Sequence, residues 1–324
     1  MKNTAKMLAA VLLAYAGGLG VTHAVVLDMV TVGNAGNSAD GSGYGAVGYS
    51  YQIGTYEVSN TEYAEFLNAV AASDPNGLYN PSMGAASRGG IVRSGTDGSY
   101  VYTVKAGFAN KPVNYVSFAD GARFTNWLTN GQGSGSTETR SYNMSTSLSS
   151  VTRMTLTLNP GDTASQYYIA SQDEWYKAAY YDASLGSGTG GYWTYPTQSN
   201  VAPTASAPNA LPNQGNFNNF NGVPTDEGAY TGSYSYYGTF DQEGNLSEFT
   251  DTITGVNRVR RGSSYSNNNT GSGYSTSDGP NAEAVSIGFR VTMVTVPEPS
   301  TALLLGGSAI AVGLILRRKR KALN

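Results

Sequence analysis

Residues 56–70 read YEVSNTEYAEFLNAV, and this stretch contains the clearest helix signal in the chain. Ser59 and Asn60 supply a helix N-cap, and Glu62 places a negative charge in the first turn, where it favours the helix dipole. Apolar side chains then recur at intervals of three and four residues, at Tyr63, Phe66, Leu67 and Val70. This spacing predicts an amphipathic helix with one buried face, which the turn sequence DPNG at residues 74–77 ends.

Two further short helices are predicted later in the chain. One begins at Ser117, because Ser117 and Asp120 have the spacing of a capping box, and it ends at Gly131. Its apolar face is formed by Phe124, Trp127 and Leu128. The other begins at Ser171 with Glu174 three residues on. Its buried stripe is formed by Trp175, Ala178 and Ala179. Short strands are predicted within Val30–Val32 and Ala46–Ile53.

Residues 186–232 are rich in Gly, Asn, Pro, Thr and Tyr and have almost no hydrophobic periodicity. Such a length would ordinarily favour disorder. Aromatic side chains argue for order instead, because each can anchor irregular backbone by burying a large area. These side chains are Tyr192, Trp193, Tyr195, Phe217, Phe220 and Tyr230. Residues 131–150 and 267–279 are rich in Ser, Thr, Asn and Gly and are predicted to be exposed loops.

The N-terminal residues have the features of a secretory signal. Lys2 and Lys6 form a positive region, residues 7–19 are mostly apolar, and Ala24 offers the small residue that signal peptidase requires. We therefore expect a signal peptide over residues 1–24, cleaved after Ala24.

The C-terminal residues have a membrane-handling pattern. The apolar run 301–316 is followed by five consecutive cations at 317–321, as in a stop-transfer segment. This run is shorter than the roughly 20 residues of a comfortable membrane span, and a buried core helix is the alternative interpretation. We expect a tail at residues 297–324 with a short transmembrane segment, and a single domain over residues 25–296.

The absence of two residue types limits the chemistry of this domain. The chain has no cysteine, and its only histidine, His23, lies in the predicted signal peptide. The mature domain therefore has no thiolate or imidazole metal ligand, no cysteine nucleophile, no disulfide and no Ser-His-Asp triad. A bound metal is expected to be an oxygen-preferring ion such as calcium. With a net charge of −3 and no basic run outside the tail, nucleic acid is not an expected partner.

Six sequence blocks, in their order along the chain, resemble the formylglycine-generating-enzyme (sulfatase-modifying factor) family. The blocks lie at residues 56–68, 112–128, 170–179, 244–249, 261–265 and 287–290. Each block alone is a weak pattern, but six in the family's order make the resemblance specific. It spans roughly Val30 to Val294. The resemblance implies an α+β domain with a C-type-lectin-like fold, in which a few short helices and strands are joined by much irregular loop.

The resemblance also implies calcium binding at two places. At the first, side-chain oxygens would come from Asp241 and Glu248, and backbone carbonyls from Gly244 and Leu246. Two carboxylates in an extended loop suit one calcium ion, and the alternative is that both are solvated turn residues. The second place comprises Asn216, the Phe217 carbonyl, Asp226 and the Gly228 carbonyl. There the loop length departs from the family pattern.

The family's oxidase chemistry does not carry over to this chain. The enzymes it resembles oxidise a sulfatase cysteine with oxygen, using a copper-binding cysteine pair that follows the Arg-Gly-Gly-Ser block. Here these positions fall near Asn267 and Ser272, and neither can be a soft thiolate ligand. Other relatives use histidine-bound iron, and the mature chain has no histidine. We therefore expect neither copper nor iron, and no catalytic residues of the family type.

The C-terminal tail resembles the Pro-Glu-Pro (PEP-CTERM) sorting signal. It combines VPEPS at residues 296–300 with the apolar run and the cationic cluster. In that family a membrane exosortase processes the tail, and the proteins occur in Gram-negative bacteria that make exopolysaccharide. The resemblance implies export to the cell envelope or extracellular matrix, with signal peptidase and exosortase as processing partners and transient anchoring in the inner membrane.

Several conspicuous side chains are expected to be structural. Core anchors are predicted at Trp127, Trp175 and Trp193, and a sugar-stacking platform is the alternative interpretation. Glu174 is interpreted as the acid of a capping box, and Arg261 and Arg290 as ion-pair partners within the domain.

Two functional hypotheses follow from these observations. The first is a noncatalytic, calcium-stabilised binding module that displays its loops to an extracellular polysaccharide or a surface protein. The second is a divergent formylglycine-generating-type oxidoreductase, or another enzyme, acting on a secreted protein. The absence of cysteine favours the first.

Overall fold

The computed structural model describes residues 24–156, 165–268 and 271–296. The predicted signal peptide up to residue 23 and the predicted tail at 297–324 lie outside the described residues. The helices of the described part are α1 (Asn60–Val70), α2 (Ser82–Ala85), α3 (Phe118–Thr129), α4 (Gln172–Tyr180) and α5 (Leu185–Gly188). In this part of the chain, no helix is both long enough and apolar enough to cross a membrane.

Short strands make up the rest of the regular structure. They are β1 (Met29–Val32), β2 (Tyr51–Gly54), β3 (Ile91–Ser94), β4 (Val101–Val104), β5 (Ser165–Ile169), β6 (Tyr181–Asp182), β7 (Gly191–Tyr192), β8 (Thr204–Ala205), β9 (Gln214–Gly215), β10 (Ser247–Thr254), β11 (Asn257–Arg261), β12 (Ser275–Asp278), β13 (Ile287–Phe289) and β14 (Val291–Thr295). The predicted α+β class, with few helices, short strands and long irregular loops, is confirmed.

All three predicted helices begin at the predicted N-cap. Ser59 caps α1, Ser117 caps α3 and Ser171 caps α4, and each serine forms a capping box with the acid three residues on. In α1 the carboxylate of Glu62 accepts a hydrogen bond from the Ser59 backbone N–H at 2.7 Å. Because a capping box satisfies backbone donors that a helix leaves free, these short sequence signals define where each helix starts.

Two four-stranded sheets form the framework. In the first, the strand order is β1-β2-β14-β5, and all neighbours are antiparallel. In the second, the order is β12-β11-β10-β13, with β10 and β13 parallel and the other pairs antiparallel. Strands β13 and β14 are separated by the single residue Arg290, so the chain passes directly from one sheet to the other there.

An aromatic cluster lies where the helices meet the sheets. The rings of Tyr63 and Phe66 from α1, Phe124 and Trp127 from α3, and Phe289 from β13 contact one another. At Gly121 of α3, an added Cβ would lie 3.0 Å from the Ile169 side chain and 3.2 Å from the Phe289 ring. A residue without a side chain is therefore needed for this helix to pack so closely on the sheets.

The irregular regions differ from the sequence predictions in three places. Phe217 and Tyr230 are buried as predicted, but Phe220 is 58% exposed and anchors nothing. Tyr142, within a stretch predicted to be an exposed loop, is fully buried and contacts the Phe118 ring. Ser275–Asp278 was predicted to lie in a loop and is strand β12, because residues 275–278 pair along β11.

Candidate functional site: the buried polar network at the predicted ion loop

A fully buried ion pair lies at the start of strand β10. Glu248 and Arg290 approach to 2.9 Å, and the guanidinium contacts both carboxylate oxygens, at 2.9 and 3.1 Å. The indole N–H of Trp175 donates to the same carboxylate at 2.8 Å. Burial is the largest influence on the pKa of Arg290 and lowers it, but the nearby carboxylates, Glu248 first and then Glu57 and Asp241, together raise that pKa above its usual value. The predicted ion-pair role of Arg290 is confirmed.

Arg290 also ties together parts of the chain that lie far apart in sequence. Its guanidinium donates to the Gly54 carbonyl at 2.9 Å and to the Phe240 carbonyl at 2.7 Å. Strand β2, the loop before β10 and β10 itself therefore converge on one charged side chain. A buried charge must be hydrogen-bonded in this way to be tolerated.

A second buried acid, Glu57, was not singled out by the sequence analysis. It is 2% exposed and accepts hydrogen bonds from the Asn245 side chain and the Leu246 backbone N–H, both at 3.0 Å. Burial, followed by the nearby charge of Glu248, raises the pKa of Glu57. Glu57 lies in the first of the six sequence blocks, next to Val58. This apolar neighbour is the one local feature of the sequence that suggests burial of the acid.

The two predicted calcium sets lie next to each other. The Asp241 carboxylate accepts a hydrogen bond from the Gly228 backbone N–H at 2.7 Å, and the Asn216 carbonyl accepts one from the Asn245 N–H at 2.8 Å. Gly244 has φ +102°, and a Cβ there would overlap the Asn216 carbonyl oxygen. One residue of the predicted sets lies apart: the Asp226 side chain is 56% exposed, and its carboxylate is 3.3 Å from the Lys111 Nζ.

The donor atoms of the predicted sets already have protein partners. Glu248 accepts from Arg290 and Trp175, and the Asn216 side-chain oxygen accepts from the Asn221 amide at 3.0 Å. Burial raises the pKa of Asp241 to about 6. Among the described residues, no three acids come close enough together to hold a metal ion. Calcium binding at Asp241, Gly244, Leu246 and Glu248, and at the second set, stays a prediction.

Asn267 and Ser272, near which the family resemblance places the cysteine pair, are both hydrogen-bonded to other parts of the chain. The Asn267 side-chain oxygen accepts from the Ser264 hydroxyl at 2.9 Å, and its amide donates to the Tyr274 hydroxyl at 3.0 Å. At Ser272 the backbone N–H donates to the Thr194 carbonyl at 2.8 Å, and the carbonyl accepts from Arg261 at 2.9 Å. This region is a network of amides and hydroxyls.

Arg261 does not form the predicted ion pair within the described part of the chain. Its guanidinium donates to the carbonyls of Ser272 and Tyr274, and to the Gln172 carboxamide when that group is turned with its oxygen inward. The ion-pair prediction for Arg261 is wrong, because backbone carbonyls replace a carboxylate. Glu174 is confirmed as a capping-box acid. Trp127 and Trp175 are confirmed as buried anchors, whereas Trp193 is half-buried.

Comparison with known families supports the resemblance that the six sequence blocks indicated. The profile of the sulfatase-modifying factor enzyme 1-like domain matches residues 33–294. The chain belongs to this family. The predicted C-type-lectin-like, formylglycine-generating-enzyme fold is therefore confirmed for this sulfatase-modifying-factor-like domain. A comparison with curated proteins found no match.

Several solved structures resemble the sulfatase-modifying-factor-like domain. CarF is 19% identical, with 82% of this chain and 98% of that chain covered and a TM-score of 0.46. Treponema denticola variable protein 1 is 15% identical, with 83% and 95% covered and a TM-score of 0.47. PvdO from Pseudomonas aeruginosa is 15% identical, with 82% and 92% covered and a TM-score of 0.42.

The C-terminal tail matches a second profile. The PEP-CTERM protein-sorting motif covers residues 295–321, directly after the sulfatase-modifying-factor-like domain. This motif indicates export to the cell envelope of a Gram-negative bacterium and processing by an exosortase. The predicted sorting signal and localisation are confirmed.

Proposed function

We propose that this exported protein is a noncatalytic member of the sulfatase-modifying-factor-like family, and that its domain binds an extracellular polysaccharide or a surface protein. The observation that supports this most directly is the identity of residues 267 and 272. The family resemblance places its cysteine pair near Asn267 and Ser272, and the whole chain lacks cysteine. Soft thiolates are the donors that copper(I) selects, so oxygen and amide groups do not replace them.

The protein should therefore fail to catalyse the family reaction. We expect no copper-dependent oxygen consumption when the purified domain is mixed with a cysteine-containing sulfatase peptide, because the chain lacks the cysteine pair that holds the copper in the family. An oxygen electrode measures consumption, and mass spectrometry of the peptide measures conversion of the cysteine. A family member that carries the cysteine pair is the positive control. Turnover above the protein-free rate would contradict the proposal and favour the divergent-oxidoreductase alternative.

Calcium binding at the two predicted sets belongs to the same proposal. If the ion binds the folded domain alone, the melting temperature should be higher in calcium than in chelator, since a hundredfold excess over Kd adds about 2.7 kcal/mol of stability. Asp241→Asn should abolish this difference because it removes a charged ligand. Asp97→Asn changes an exposed acid elsewhere and should preserve the difference. Equal melting temperatures in calcium and chelator would remove the ion from the proposal.

A further inference from the structure

An open groove of about 400 Å³ lies between the sheet β12-β11-β10-β13 and the beginning of helix α4. One wall is formed by Thr252 and Thr254 of β10 together with Ser275 and Ser277 of β12. The opposite wall is formed by Tyr44 and Gln172. Val259 of β11 lies between strands β10 and β12. The volume falls within the range of about 300–1,000 Å³ that small-molecule sites occupy.

The serine hydroxyls of β12 face the same side of the sheet as buried residues of β11. Ser275 is paired with Arg261 and Ser277 with Val259, and antiparallel partners project to the same face. Arg261 reaches the Gln172 carboxamide from this face, so the face is turned towards α4. Thr276 projects to the other face, where its hydroxyl accepts a hydrogen bond from Arg260. Thr276 also borders the groove, but among the β12 side chains those of Ser275 and Ser277 lie on the face turned towards α4.

Three of the lining hydroxyls have no hydrogen-bond partner within the described part of the chain. Among the described residues, the side chains of Thr254, Ser275 and Ser277 bond to no other protein group, whereas the Thr252 hydroxyl accepts from the Gln172 backbone N–H at 2.9 Å. Each free hydroxyl can donate one hydrogen bond and accept two. The groove thus offers a row of neutral hydrogen-bonding groups to a ligand.

Tyr44 presents an aromatic ring at the opposite wall. The ring is 36% exposed and is supported by the Arg261 guanidinium at 4.6 Å and the Tyr176 ring at 5.8 Å. No carboxylate, lysine or arginine is among the described residues that line the groove. A supported ring facing neutral hydroxyls suits a ligand that has apolar C–H faces and many hydroxyl groups, and poorly suits a charged ligand.

We propose that this groove is a binding site for a neutral oligosaccharide, with Tyr44 stacking on a sugar ring and Ser275, Ser277 and Thr254 hydrogen-bonding its hydroxyls. The assignment rests on the proposed binding function and names the ligand class and the surface. A different cavity, of about 200 Å³, is lined by the acids Asp28, Glu57, Glu62 and Glu227, and its charge does not suit a neutral sugar. The neutral groove combines free hydroxyls with an exposed ring.

The test uses the exported protein with defined probes. Cellohexaose and isomaltohexaose are titrated by calorimetry, with trigalacturonate as the charged counterpart. At least one neutral hexasaccharide should bind, and tighter than trigalacturonate. Tyr44→Ala should weaken that binding by about tenfold or more, as for a tyrosine at the centre of an interface. Tyr234→Ala removes a comparably exposed tyrosine elsewhere and should leave the affinity unchanged.

The hydroxyls are tested by a paired variant. Ser275→Ala with Ser277→Ala should weaken binding, and Ser275→Thr with Ser277→Thr should restore it, since threonine keeps the hydroxyl and favours strands. Circular dichroism confirms that each variant folds. Absence of neutral-oligosaccharide binding, or unchanged binding in Tyr44→Ala and the double-alanine variant, would overturn the groove assignment. Capture of an extended peptide by edge strand β12 in place of sugar would also overturn it. None of these results would indicate oxidase activity. The oxygen-consumption assay tests the noncatalytic proposal separately.

Discussion

Replacing Arg290 with methionine is expected to destabilise the domain by about 3–5 kcal/mol. The substitution keeps most of the side-chain volume but leaves the Glu248 carboxylate buried with no cation beside it. It also removes the donors to the Gly54 and Phe240 carbonyls. Urea or guanidinium unfolding of the purified domain measures the loss directly.

Two further variants separate the ion pair from general damage. Arg260→Met breaks the partly exposed pair between Arg260 and Asp278 and should cost only about 0–1 kcal/mol. Adding Glu248→Leu to Arg290→Met should recover part of the lost stability, because no unpaired charge is left buried, although the Gly54 and Phe240 carbonyls still lack the donors that Arg290 supplied. A loss in Arg290→Met no larger than in Arg260→Met would show that Glu248 does not depend on its partner.

Local sequence signals predicted the helices of this domain well. The serine and acid pairs at Ser59, Ser117 and Ser171 are satisfied within four residues of chain, so their capping geometry depends little on the rest of the fold. The order of the six blocks then predicted the fold, because it identifies a protein family, whereas a single block indicates only local secondary structure. Arg290 could be predicted as an ion-pair residue, although its partner could not be identified from spacing.

Long-range contacts determined what the sequence could not predict. Phe217 and Phe220 have the same local environment in sequence, but only Phe217 packs against the domain. Ser275 to Asp278 have a loop-like composition, and pairing with β11 makes them a strand. Glu57 is buried because the Asn245 and Leu246 groups meet it from 188 and 189 residues away. The two predicted calcium sets are brought together by contacts over shorter separations, Gly228 with Asp241 and Asn216 with Asn245, which sequence spacing alone did not reveal.

Replacing Phe124 with alanine should have a comparable effect, a loss of about 3–5 kcal/mol in the free energy of unfolding. The Phe124 side chain is fully buried at the centre of the aromatic cluster. Its ring centroid lies 5.4 Å from that of Phe66, 5.6 Å from Phe289 and 5.7 Å from Trp127. Alanine would leave a cavity bounded by α1, α3 and β13, because the rings around it are held by separate elements and cannot all move inward.

Phe220→Ala is the matched control, since it deletes the same side chain at a position that is 58% exposed. It should change the free energy of unfolding by no more than about 0.5 kcal/mol. Phe124→Leu should lie between the two, because leucine refills part of the cavity. Equal losses for Phe124→Ala and Phe220→Ala would mean that the aromatic cluster does not hold the helices on the sheets. A large loss for Phe124→Ala alone would show that the aromatic cluster, to which the first sequence block contributes Tyr63 and Phe66, stabilises the domain.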